Sequence, residues 1–462
     1  MKMLSEILQL IFLNIEISKL FIVSFVLIFV FFVVNCFSHK EHKVYTRRAQ
    51  SIRIIFFFLF VLIKSISLHA ETWYVAPGKS MHSIQQALGL CKNGDTIVVD
   101  AGKYSEKSIV IDKSVTLIGE NNPVLDGENK FEVISIKADD VTVQGFTIQH
   151  CGASSLDEIA GIKIYGRKNV IIKNNNLLQN FFGVYAQFST NCSIENNKVQ
   201  SAGIASTQTG NAIHCFKCDS MRIIANTVTG HRDGIYFEFV NNSIIWRNTS
   251  EENIRYGLHF MTSHNNAYIC NIFRSNGAGV AVMYSHGVKM YNNFFEDNRG
   301  TASYGLLIKE LTDSYINGNL FITNTAGIFM EGGTRINMQK NVFRNNGWAL
   351  RIQASCSDVR VSENNFTGNT FDVTTNGSLV LNTFNENYWD KYEGYDLNKD
   401  GSGDIPYRPV SLYSMVVEQN PPAVILFRSM IVSLLDRSEK IFPSLTPGDL
   451  KDNSPHMKPL PL

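Results

Sequence analysis

The sequence predicts an all-β fold, a right-handed parallel β-helix whose coils are about 22 residues long. Three observations carry that prediction. A glycine recurs at Gly161, Gly183, Gly234, Gly257, Gly279, Gly305 and Gly327. Fourteen residues after each comes an asparagine, at Asn175, Asn197, Asn248, Asn271, Asn293, Asn319 and Asn341. A second row follows five residues beyond that place, at Asn180, Asn253, Asn276, Asn298, Asn324, Asn346 and Asn369. Amides stacked at the ~4.8 Å spacing of parallel strands hydrogen-bond along the stack, so both rows read as scaffold.

The first 70 residues read as a targeting region. Arg47, Arg48 and Arg53 precede the apolar run 54–63, and SISLHA follows with the small residue Ala70 at the expected cut. An earlier apolar run, 20–34, reads either as a membrane segment or as sequence upstream of the true start. Residues 1–70 carry eight of the 42 basic and three of the 41 acidic side chains, so the remainder has a net charge of −4. With no basic block, nucleic acid is excluded as a partner. Of eight cysteines, only Cys36 precedes the cut, and an odd seven do not make a paired disulfide framework.

Residues 71–112 form an N-terminal cap and first coil, with a short amphipathic helix over Ser83–Cys91 covering the open sheet edge. The β-helix proper spans 113–385. Between Gly183 and Gly234 one more coil fits, with Ala212 in the glycine place and Asn226 in the asparagine place, and a last coil starts at Ala349. The first and third residues after each glycine are mostly apolar, so alternation turns them inward and the second and fourth outward. Residues 386–420 are aromatic and turn-rich and close the solenoid. Residues 421–462 form a helix over 421–440, too short and interrupted by Arg428 to span a membrane, and then an extended tail.

Two neighbouring coils say nearly the same thing: GLHFMTSH over 257–264 and GVAVMYSH over 279–286. In register, Met261 lies against Met283 and His264 against His286, and soft thioethers beside imidazoles suit Cu(I). On a straight strand Met261 and His264 face opposite ways, so they meet only if the chain bends at Thr262 and Ser263. Without the bend the cluster is His259, Met261 and Met283. His214, Cys215 and Cys218 form a second candidate metal set, although Cys215 holds an inward place; the pair also reads as a redox pair or as packing. His456 and Met457 in the tail are a weaker pair.

Asp396, Asn398, Asp400 and Asp404 hold the first, third, fifth and ninth places of a calcium-type loop with Gly401 at the sixth, but Tyr407 stands where the bidentate Glu belongs. Calcium and a metal-free turn therefore both remain readings of it. Catalytic residues are not found. Glu238, Glu310 and Glu331 point outward from different coils or different places, without the close pairing that glycosidases need. Arg232 and Arg255 align on adjacent coils, which leaves a polysaccharide lyase or hydrolase for anionic sugars as the alternative.

The cap APGKSMHSIQQAL, the coils RYGLHFMTSH and GVAVMYSHGV, the segment NTFDVTTN and the ending NYWDKYEGYDLNKDGSGDIPYRPV resemble the NosD family of nitrous-oxide reductase maturation proteins, from about residue 72 to 460. The resemblance implies a periplasmic, non-enzymatic β-helix protein that works with the permease and ATPase of an ABC transporter at the inner membrane. Its implied task is assembly of the copper centres of nitrous-oxide reductase, with copper received from a donor protein; a sulfur species is the other cargo discussed for the family. The metal role of His259, Met261, His264, Met283 and His286 comes from their spacing. The N-terminal extension departs from the family pattern.

Overall fold

The protein is described by a computed structural model over residues 70–462, except 155, 203, 204, 206, 207, 378–380 and 443–449. The targeting region, with both its apolar runs and Cys36, lies outside the described residues.

The chain winds into a parallel β-solenoid. Each coil lays down three strands, for instance Tyr256–Met261, Ala267–Ile269 and Ile272–Arg274. Every strand pairs in parallel with its equivalent one coil away, and the third face contributes one strand per coil to a 13-stranded sheet. Pairing begins earlier than residue 113, with Thr72–Val75 against Thr96–Val99, and continues to Tyr388–Trp389.

Burial follows the predicted alternation. Ile235, Leu258, Val280, Leu306 and Ile328 pair in succession, as do Phe237, Phe260, Val282, Ile308 and Met330, and all ten are fully buried. The glycine row has a steric cause. A Cβ on Gly257 would stand 2.7 Å from the carbonyl oxygen of Gly279 and 2.8 Å from Asn276 Nδ2, a space the adjacent coil and ladder already fill.

Both asparagine rows are hydrogen-bonded ladders. In the first, Asn271 donates through its backbone N and through Nδ2 to Asn293 Oδ1, each at 3.0 Å, while Nδ2 also donates to the Ile245 carbonyl. Each side chain thus satisfies buried backbone groups at a corner where the sheet ladder is interrupted. This row extends past Asn341 through Asn364 to Asn387. In the second row His231 stands in an asparagine place, its backbone N donating to Asn253 Oδ1. The third face adds an inner stack that periodicity alone did not announce. Phe273, Phe295, Phe321, Phe343, Phe366 and Trp389 follow one another with ring centroids 4.1–5.4 Å apart, each contact contributing about 0.5–1.5 kcal/mol beyond area burial.

The two ends are closed differently. Helix α1 (Ile84–Leu90), capped by Ser83, buries Ile84, Ala87 and Leu88 over the first coils. At the far end the tail returns: Tyr388 bridges to His456, and Asn365 exchanges hydrogen bonds of 2.8 and 2.9 Å with Leu460. The single helix expected over 421–440 is broken. Helix α2 (Leu412–Gln419) precedes a 3-10 turn at Pro421–Leu426, and helix α3 (Met430–Ile441) starts afresh because Arg428 takes a left-handed φ of 64° and Ser429 caps the new N-terminus. Arg351 clasps Glu418 of α2 at 2.9 and 3.1 Å, which ties this segment to the solenoid. Among the described residues no helix is long and apolar enough to cross a membrane.

Candidate metal site

Met261, the last residue of the strand Tyr256–Met261, pairs directly with Met283, which lies within the strand Ala278–His286, with Glu238 on the coil before and Lys309 on the coil after. Both thioethers are half-buried on the outer surface. The bend on which the histidines depend is present. Thr262 and Tyr284 take left-handed φ values of 49° and 53°, and the next residues, Ser263 and Ser285, turn inward and are buried. Their hydroxyls lock the corner: Ser263 Oγ donates to the Met261 carbonyl at 3.0 Å, Ser285 Oγ to that of Met283 at 2.9 Å, and Ser263 N donates to Ser285 Oγ.

Beyond the corner His264 and His286 face outward again, with rings stacked 4.1 Å apart at 21°. Burial first, and the neighbouring His286 second, hold the His264 imidazole below its ordinary pKa, which favours the neutral ring a metal requires. Nδ1 of His264 accepts the backbone N–H of His286 at 3.3 Å. A metal held through Nε2 would leave the proton on Nδ1, and that long contact would then be given up. Two thioethers and two imidazoles are thus paired coil to coil on either side of one corner, and both are donor types that Cu(I) accepts.

His259 shares the outward side of its strand with Met261 but is not a free surface ligand. Its ring is buried between Tyr236 and Tyr256, at 4.7 and 4.8 Å, and Nδ1 lies 3.4 Å from Asp233 Oδ2. The equivalent place one coil on holds Ala281, so no second imidazole joins it. Asp233, which the sequence reading passed over, is fully buried and receives Arg255 in a two-pronged pair at 2.8 and 3.0 Å. The available signal was an acid 22 residues ahead of Arg255, one coil away. Because this pair neutralises Arg255, and Arg232 donates to Asn211, the aligned arginines are not two free grips for an anionic sugar.

The remaining carboxylates do not form a catalytic pair either. Glu238 and Glu331 hold the same place four coils apart, roughly 19 Å at the spacing of parallel strands. Glu331 sits by Lys309, and Glu310 occupies a corner.

The second metal set is divided. His214 faces outward among Phe182, Tyr185 and Tyr236, while Cys215 and Cys218 face into the core. Adjacent residues of a strand point to opposite sides, so the imidazole does not join the thiols. Burial lowers the His214 pKa to about 3. In the calcium-type loop the oxygens are occupied by its own turn. Asp396 accepts N–H groups from Lys399, Asp400 and Gly401, Asp404 accepts that of Leu397, and Asp400 that of Ser402. Among the described residues no group of three or more His, Cys, Asp or Glu side chains is arranged to hold a metal ion. The thioether and imidazole set is of a different kind.

Residues 199–394, which include both methionine coils and the start of the closing segment, match the family model described as periplasmic copper-binding protein (NosD). The chain is 28% identical over 380 residues to the probable ABC transporter binding protein NosD of Stutzerimonas stutzeri, covering 78% of this chain and 86% of that protein. It is 26% identical to the protein of the same description from Pseudomonas aeruginosa, covering 78% and 87%. Among solved structures, the A-module of mannuronan C-5 epimerase AlgE4 from Azotobacter vinelandii aligns at 14% identity over 66% of this chain and 87% of that one, with a TM-score of 0.45. PfbA, a surface adhesin of Streptococcus pneumoniae, aligns at 13% over 69% and 90%, also at 0.45.

Proposed function

The chain belongs to the NosD family, and from that premise we propose that it is a periplasmic accessory protein that holds Cu(I) transiently for assembly of the copper centres of nitrous-oxide reductase. The observation that carries this reading is the direct pairing of Met261 with Met283 beside the stacked His264 and His286, across one shared corner. Thioethers bind Cu(I) without losing a proton, so a site built on them releases its ion readily to a stronger thiolate or multi-imidazole acceptor. In this scheme a donor protein delivers the ion, the permease and ATPase of an ABC transporter hold or reshape the carrier, and the reductase takes the ion. The description of the relatives as transporter binding proteins supports that association. No turnover by this chain is required.

Competition titration of the exported chain with a Cu(I) chelator tests the proposal. The double variant Met261→Ala/Met283→Ala loses at least tenfold in affinity, and equal affinity in both proteins overturns the site.

A further inference from the structure

The left-handed corner between Met261 and His264 recurs in other coils and has an inner side as well as an outer one. It brings the last inward residue before the bend and the residue three places later together inside the solenoid. Phe260 and Ser263 are both buried there, as are Val282 and Ser285. The approach is close: at the same corner of a later coil, a Cβ added to Gly333 would collide with Sδ of Met330. On a straight strand these residues would face opposite sides about 10 Å apart. The corner makes them neighbours.

In the coil that starts at Ala212 both inner places are thiols. Cys215 and Cys218 are buried, with the left-handed Lys217 (φ 49°) between them at the bend. The Cys218 thiol donates to the carbonyls of Phe216 and Ala186, at 3.4 and 3.5 Å, and Ala186 is the pairing partner of Cys215 one coil away. The neighbouring Cys215 thiol holds Cys218 below its usual pKa against the effect of burial. Cys192, the other buried thiol nearby, directs its own to the carbonyls of Arg167 and Thr190.

We infer that Cys215 and Cys218 are joined by a disulfide in the exported protein, a covalent staple across one corner of the solenoid. Bond formation takes two electrons and two protons from the pair, and the oxidant is the disulfide of a thiol-oxidising protein of the periplasm. The Cys218 thiolate attacks one sulfur of that disulfide and expels the other as a thiolate. The Cys215 thiolate then attacks Cys218 Sγ in the mixed disulfide, and the donor leaves as a dithiol. Because both cysteines are buried in the finished coil, the exchange takes place while that coil is still forming.

The staple has an outer consequence. Nζ of Lys217 lies 5.2–5.9 Å over the rings of Phe188, Phe216 and Phe239. Phe216 occupies the outward place that Glu238 and then Met261 fill on the next two coils. Fixing the corner fixes this partly exposed aromatic edge beside the thioether pair.

The full chain, exported to the periplasm, is acid-quenched, denatured without reductant, alkylated and digested with trypsin. Cleavage after Lys217 separates peptide 199–217 from peptide 218–222 unless the bridge joins them. The expected product is the joined pair, two hydrogens lighter than the separate thiol peptides and released by a phosphine reductant, with Cys192 alkylated singly. Alkylation of both Cys215 and Cys218 before reduction, or a bridge from either to Cys192, overturns the inference. The same chain retained in a reducing cytosol yields the two alkylated peptides; a joined pair there would mean the bridge forms during work-up and would also overturn it.

Discussion

Asn387 passes the first asparagine ladder on to Asp452, a residue 65 positions later in the chain. Asp452 Oδ2 accepts the backbone N–H of Asn387 at 2.9 Å and its side-chain Nδ2 at 3.0 Å. The same carboxylate accepts Glu386 N and Trp389 Nε1. The returning tail thereby supplies the acceptor that a further coil would have supplied, and it shields the last sheet edge from pairing with another chain.

Asp452→Ala leaves these donors unsatisfied in the closed end of the solenoid and costs about 3 kcal/mol or more. The check is the urea midpoint together with proteolysis: the variant unfolds at lower urea and is cut first on the C-terminal side of residue 442. Asp452→Asn keeps one of the two acceptor oxygens and recovers part of the loss.

Asp372 gives stability a pH dependence. Burial raises its pKa to about 6, against the lowering effect of Lys391 at 3.2 Å and the hydrogen bond from Tyr407, and one carboxyl oxygen has no partner. A folded pKa above the unfolded value means that the contribution of this group to stability is fully present below about pH 4 and is lost as pH rises through 6. Asp372→Asn, which stays neutral, therefore gains on the wild type between pH 4.5 and 7.5, by about 2–3 kcal/mol. Paired denaturation curves at those two pH values check the sign.

At the proposed copper site His264 binds protons in competition with the metal, and the thioethers do not. Proton uptake by His264, whose pKa burial and the neighbouring His286 hold below its ordinary value, competes with the metal, so Cu(I) affinity of the wild type falls as the pH is lowered from 7.5 to 5. In His264→Ala/His286→Ala the affinity is lower but flat over the same range. The paired affinities are read by the same chelator competition, and a flat wild-type profile would remove the histidines from the site.

The solenoid was legible because its rows are spaced by the coil itself: Gly257 to Gly279 and Asn271 to Asn293 repeat a steric and a hydrogen-bonding requirement at one step. The pairing of Met261 with Met283 followed from the same step. The bend that brings His264 back to the surface did not, because it rests on a left-handed Thr262, a conformation that a β-branched residue rarely adopts and that no local pattern announces. Nor did the closing of the far end, since Asn387 and Asp452 are joined across an intervening helical segment whose length carries no period. The burial of His259 was missed for a related reason. Alternation gives the side of the sheet a residue points to, and only the neighbours Tyr236, Tyr256 and Asp233 decide whether that side is covered.

The identity of the atoms bound to copper tests the central claim most directly. X-ray absorption of the Cu(I)-loaded chain is predicted to show thioether sulfur together with imidazole nitrogen. The sulfur contribution disappears in Met261→Ala/Met283→Ala and persists in Cys215→Ser/Cys218→Ser. Sulfur scattering that survives loss of both methionines and vanishes with the cysteines would contradict the account.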